Sequence, residues 1–127
     1  MESSRLSVED RESGQRIEAR VTAVGEDFVI AVGGGEKPHV GCVVLAQPIS
    51  SKGAWSTSCS VLTIPPHKEE PIARGIATRV AEASGRVTVV TAGVHDDNLD
   101  ATGIAVYLRL GEEIAEELVK RLTEGEM

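Results

Sequence analysis

The chain has 127 residues, of which 41% are hydrophobic and 26% charged, with a formal net charge of -7. That composition suits a compact domain with a true core and excludes a disordered polymer; no apolar run approaches the length that spans a bilayer. The acidic balance repels nucleic-acid phosphates and no basic stripe offsets it, so neither nucleic acid nor membrane is expected as a partner.

The opening stretch MESSRLSVEDRESGQR has no apolar h-region, so no signal peptide is expected and the cytoplasm is the default compartment. Residues 1–14 are polar and aperiodic and read as a disordered N-terminal tail, leaving 15–127 as a single α+β domain. RIEARVTAVG alternates: Ile17, Ala19, Val21 and Ala23 face one way, Glu18, Arg20 and Thr22 the other, which is a half-buried strand. Gly25, Glu26 and Asp27 supply a tight hairpin into DFVIAVGGG, apolar on both faces and therefore a central strand. HVGCVVLAQP reads as a third strand that stops at Pro48. ISSKGAWS reads as a flexible polar loop, and STSCSVLTI as a fourth strand with Ser56, Ser58 and Ser60 on one face.

After Pro65 and Pro66 the period changes. Ile72, Ile76 and Val80, flanked by Ala73, Ala77 and Ala81, make one face of an amphipathic helix that Gly85 ends. RVTVVTAG reads as a buried strand and IAVYLRL as a further strand. From Gly111 the series Ile114, Leu118, Leu122 makes a second helix. The expected architecture is α+β: a single mixed or antiparallel sheet of five to six strands with two helices packed on one face. Such a sheet leaves a face to cover, which points to a homo-oligomer, in the simplest case a homodimer. Cys42 and Cys59 stand in apolar, strand-like runs outside any CxxC pair and are expected to be reduced and buried.

All three histidines stand at corners where strands end. His39 follows Pro38 and a triple glycine and comes with Lys37. His67 follows Pro65 and Pro66 and comes with Lys68, Glu69 and Glu70. His95 comes with Asp96, Asp97 and Asn98. Ligand sites gather at strand ends, and imidazole suits proton transfer or metal ligation. Convergence of the three corners at one end of the sheet is therefore expected. Two chemistries are open. Imidazole with carboxylate suits zinc, manganese or iron, although no HExxH or closely spaced ligand pair is present. A metal-dependent enzyme using the histidines with Asp97 or Glu70 is one reading on that ground. Lys68 and His67 at a helix start suit a phosphate, and Gly33, Gly34 and Gly35 allow a ligand close to the backbone. A structural or regulatory subunit is the remaining alternative.

The segments VGGGEKPHVGCVVLAQP, SVLTIPPHKEEPIARGIA and VTVVTAGVHDDNL, in this order and spacing, resemble the LpdD-like family of small proteins associated with UbiD-type decarboxylases. The resemblance covers roughly residues 16–100 and takes in all three histidines. It implies a chaperone for prenylated FMN: a carrier, and no catalyst, that takes the cofactor made by a UbiX-type prenyltransferase and passes it to an apo-decarboxylase. On that implication the cofactor meets Gly34, Gly35, Lys37 and His39 at the first corner. At the second it meets His67, Lys68 and Glu69, and at the third His95, Asp97 and Asn98. The phosphate would meet His67, Lys68 and the helix start; His39 and His95 would meet polar edges of the ring system or a bound cation. Aromatics are only 2% of the chain, few for stacking a flavin. Trp55 would either fold over the ligand or anchor its own loop.

Overall fold

The computed structural model describes residues 2–66 and 68–125. The elements are β1 (Ser3–Glu9), β2 (Arg16–Val24), β3 (Asp27–Gly35), β4 (Cys42–Ser51), β5 (Ala54–Thr63), α1 (Glu70–Ser84), β6 (Thr88–His95) and α2 (Ala101–Thr123). The six strands form one sheet in the order β1-β2-β3-β6-β4-β5. Only the β3–β6 pairing is parallel, so the sheet is mixed, as the sequence pattern allows.

One face of this sheet is apolar. Ile17, Ala19 and Val21 of β2, Phe28, Ile30 and Val32 of β3, Val90, Ala92 and Val94 of β6, and Cys42, Val44 and Ala46 of β4 are all buried. Both helices lie against it. α1 contributes Ile72, Ala73, Ile76, Ala77, Val80 and Ala81. α2 contributes Tyr107, Leu110, Ile114, Ala115 and Leu118. Full burial of each large aliphatic side chain contributes about 1.5–3 kcal/mol, so this layer is where the stability resides. α1 stops at Gly85, whose N–H donates to the Ala81 carbonyl at 2.8 Å. No helix among the described residues is long and apolar enough to cross a membrane.

Three local expectations are corrected. First, the segment read as a disordered tail contains β1, paired along its length with β2. Leu6 and Val8 pack against the core on the helix side, and two apolar positions are too few to show a period. Second, Ile104–Leu110 is helix, continuous with the segment after Gly111, so β1 supplies the sixth strand. The Asp100 carboxylate caps this helix by accepting from Gly103 N–H at 2.8 Å, and Tyr107, Leu110, Ile114 and Leu118 then fall on one face. Third, β4 runs through Pro48, and ISSKGAWS is strand, turn and strand. Beyond Ala46 β4 has only β5 beside it, so a residue without an N–H fits on the free side. The turn is the two-residue kind, with Lys52 at φ 52° and Gly53 at φ 81°.

Candidate functional site

Because β6 lies between β3 and β4, the chain leaving β3 must pass round the end of β6 before β4 begins. Backbone hydrogen bonds guide it. Lys37 N–H donates to the His95 carbonyl at 3.1 Å, His39 N–H to Gly93 at 3.4 Å and Gly41 N–H to Ala92 at 3.0 Å. Glu36 N–H donates to the Asp96 carboxylate at 2.8 Å. Two glycines make the passage possible. A Cβ on Gly93 would sit 1.8 Å from the His39 carbonyl oxygen. Gly35 has φ +78°, and a Cβ there would meet the His95 carbonyl oxygen at 2.5 Å.

The passage collects ionisable side chains. His39 Nδ1 lies 3.1 Å from the Lys37 carbonyl, and its Nε2 lies 3.2 Å from Glu69 Oε1. That second contact is within ion-pair reach but lacks hydrogen-bond alignment, and Glu69 Oε1 has no hydrogen-bond partner among the described residues. A carboxylate this buried, with 2% of its side chain exposed, needs a positive partner or a proton beside it. Among the described residues His39 stands within ion-pair reach of it. Lys68 Nζ lies 3.3 Å from His95 Nδ1, and His95 Nε2 lies 3.1 Å from Asp97 Oδ1. Lys37 Nζ reaches the same oxygen at 3.4 Å. Asp97 and Asn98 form the turn after β6, with Asn98 exposed and at φ 60°.

Beside this group, on the sheet face that the helices leave bare, lies a cleft of about 860 Å³. Ala31, Gly33 and Thr91 lie along it; their small side chains keep it a trough. Pro38, His39 and Val40 line one flank, and Arg16, Glu18 and Arg20 of β2 line the other. Tyr107 closes the rim, its hydroxyl donating to Asp96 Oδ2. Burial, reinforced by that carboxylate, holds the Tyr107 phenol well above its ordinary value, so it stays a neutral donor.

The chain matches the model of the prenylated flavin chaperone LpdD-like domain over residues 11–123. It belongs to that family. Protein LpdD from Lactiplantibacillus plantarum is 23% identical over 116 residues, covering 87% of this chain and 80% of that one. A chain from the crystal structure of a chaperone complex for yeast 20S proteasome assembly superposes with a TM-score of 0.66 at 14% identity, covering 96% and 97% of the two chains. That likeness concerns the fold alone.

Within this family member, the structure gathers Lys37, His39, Lys68, Glu69, His95 and Asp97 at one end of the sheet. Gly34, Gly35 and His39 also line the cleft. His67 lies outside the described residues. Among the described residues no three or more His, Cys, Asp or Glu side chains are placed to hold a metal ion. Trp55 stands away from the cleft: a Cβ on Gly85 would be 2.8 Å from its ring, so it lies against the C-terminal end of α1. Both cysteines are free. Cys42 is buried, and burial raises its thiol above the usual range; Cys59 is only partly buried. Ser56, Ser58 and Ser60 are exposed along β5, on the bare face.

Sequence reasoning missed the arginine flank. Arg5 of β1 and Arg16 and Arg20 of β2 all surround the Glu18 carboxylate. In the sequence they are isolated residues, and only the β1–β2 pairing brings Arg5 opposite Arg20. The alternation that places Glu18 and Arg20 on one strand face was the available signal.

Proposed function

We propose that this protein carries prenylated FMN in the cytoplasm, receiving it from a UbiX-type prenyltransferase and delivering it to an apo UbiD-type decarboxylase without catalysing a reaction itself. Membership of the prenylated flavin chaperone LpdD-like family supports the cargo. The cleft is the observation that carries the reading for this chain. At about 860 Å³ it is within the range of small-molecule sites, and its run of small residues gives a flat ring system room to lie. It opens on the uncovered face of the sheet, so cargo can leave without disturbing the helix-packed core. The passage at the end of β6 supplies the polar groups. His39 borders both the cleft and the buried Glu69. Gly34 and Gly35 form the nearby backbone, and Lys37, Lys68, His95, Asp97 and Asn98 offer charge and hydrogen bonds to the polar edge of the cofactor.

Two experiments test this. An anaerobic titration of reduced prenylated FMN should change its absorption spectrum saturably at one equivalent per chain. The loaded protein should then restore activity to an apo UbiD-type decarboxylase separated from it by no more than mixing. A spectrum unchanged by the protein contradicts the carrier role. Tight binding with no transfer to the apoenzyme leaves binding in place and contradicts delivery.

A further inference from the structure

The arginine flank has an unusual balance. Glu18 Oε2 lies 3.1 Å from Arg16 Nη2, and Glu18 Oε1 lies 3.6 Å from Arg5 Nε and 3.9 Å from Arg20 Nη2. Three guanidiniums thus share one carboxylate. Arg5 and Arg20 stand directly opposite each other across the β1–β2 ladder, a like-charge pairing that is unfavourable by itself. More than half of each arginine side chain is exposed, so the cluster adds little to folding stability. Glu9 faces Arg16 across the ladder from an exposed position. The remaining carboxylates of the cleft, Glu36 and Asp96, stand at its rim beside β6, and Asp96 is committed to Tyr107 and the Glu36 N–H. Positive charge is therefore concentrated along the β2 wall.

The helix start offers a weaker case for an anion. Lys68 is engaged with His95, and Glu69 and Glu70 follow it at the first turn of α1. Two acids oppose the attraction of the helix dipole for a phosphate. Lys37 is likewise matched to Asp97.

We infer that Arg16 and Arg20, backed by Arg5, hold the phosphate of the flavin nucleotide on the bare face of the sheet. This rests on the carrier reading and fixes the direction of the cargo in its cleft. The ring system then extends along Ala31, Gly33 and Thr91 toward Pro38 and His39. Forked guanidinium donors match a phosphate dianion better than a single ammonium does. Glu18 keeps the arginine side chains together while no phosphate is bound.

The test compares reduced prenylated FMN with the same cofactor dephosphorylated by alkaline phosphatase, titrated anaerobically against wild type, Arg16→Gln, Arg20→Gln and Lys68→Ala. Far-ultraviolet circular dichroism checks that each variant folds. Wild type should bind the phosphorylated cofactor about tenfold or more tightly than the dephosphorylated one, a factor expected of one charge-assisted contact. Each arginine variant should lose about tenfold for the phosphorylated ligand and less than about threefold for the other. Inorganic phosphate should compete on wild type and compete less on the arginine variants. Equal losses for both ligands overturn the inference. So does a phosphate-specific loss in Lys68→Ala with both arginine variants unaffected, which moves the phosphate to the helix start. Equal wild-type affinity for the two ligands removes any phosphate anchor while leaving the carrier reading standing. If wild type binds neither, the carrier reading falls and this inference with it.

Discussion

The same strands build two unlike surfaces. Along β3, Phe28, Ile30 and Val32 are buried against the helices, whereas Val29 is 39% exposed and is followed on its face by Ala31 and Gly33. Along β2, Ile17, Ala19 and Val21 are buried, and Arg16, Glu18 and Arg20 occupy the other side. The period of two separates the tasks residue by residue. On the covered face, volume and apolarity are fixed by close packing. On the bare face neither helix packs, so the small and charged residues of β2, β3 and β6 form a trough with a charged wall beside the 38–40 segment.

That contrast is broken most forcefully by exchanging the effects of the two faces. Ile76→Ala removes a fully buried side chain from α1 and should lower unfolding free energy by about 2–5 kcal/mol, read as a shift in denaturant midpoint, while cofactor affinity stays within about threefold. Ala31→Leu on the bare face should do the reverse, moving stability by less than about 0.5 kcal/mol yet weakening cofactor binding about tenfold by filling the trough. If Ala31→Leu binds the cofactor as wild type does, the trough is not the seat of the ring.

Gly93→Ala stands between these extremes. The added Cβ has no room beside the His39 carbonyl, so the 38–40 wall must shift. A loss of about 1–3 kcal/mol is expected together with weaker binding, because one movement affects both. Unchanged binding in a destabilised protein would separate the passage from the site.

A finer distinction comes from the lone tyrosine, whose ionisation is followed as the pH-dependent rise in absorbance at 295 nm above the constant contribution of Trp55. Its native phenol is held above the ordinary value by burial and by Asp96. The stabilising contribution is full below about pH 10, the unfolded value, and is lost as pH rises, since the unfolded chain releases a proton that the native one keeps. Native protein should therefore show little tyrosinate near pH 10.5, while protein in denaturant shows most of it. Matching titration curves would mean that Tyr107 is open to solvent.

The covered face was legible in the sequence because burial leaves periodicity: Ile72, Ile76 and Val80 show the helix, and Ile17, Ala19 and Val21 the strand. The corners of His39 and His95 were legible for a different reason, since Gly35 and Gly93 stand where backbone geometry leaves no room for a side chain; the corner at His67 lies outside the described residues. The β4–β5 hairpin, read as a polar loop, was hidden, and so were two further features. Ile104–Leu110 alternates as readily as it winds, and its state is decided by the Asp100 cap upstream. The arginine wall depends on β1, whose two inward apolar residues form no period, so Arg5 looked like part of a tail. Of a charge cluster assembled across strands only the part on one strand leaves a local trace, here the alternation of Glu18 and Arg20 on β2.

The central claim is that prenylated flavin lies on the bare face, between the arginine wall and the 38–40 passage. Amide chemical-shift mapping by NMR on adding the reduced cofactor tests it most directly. The largest changes should fall at Arg20, Ala31, Gly33, Thr91, His39 and Val40, with the β4–β5 turn at Lys52–Gly53 and the outer surface of α1 unaffected. Changes concentrated at that turn or along the helices, with the trough silent, would contradict it.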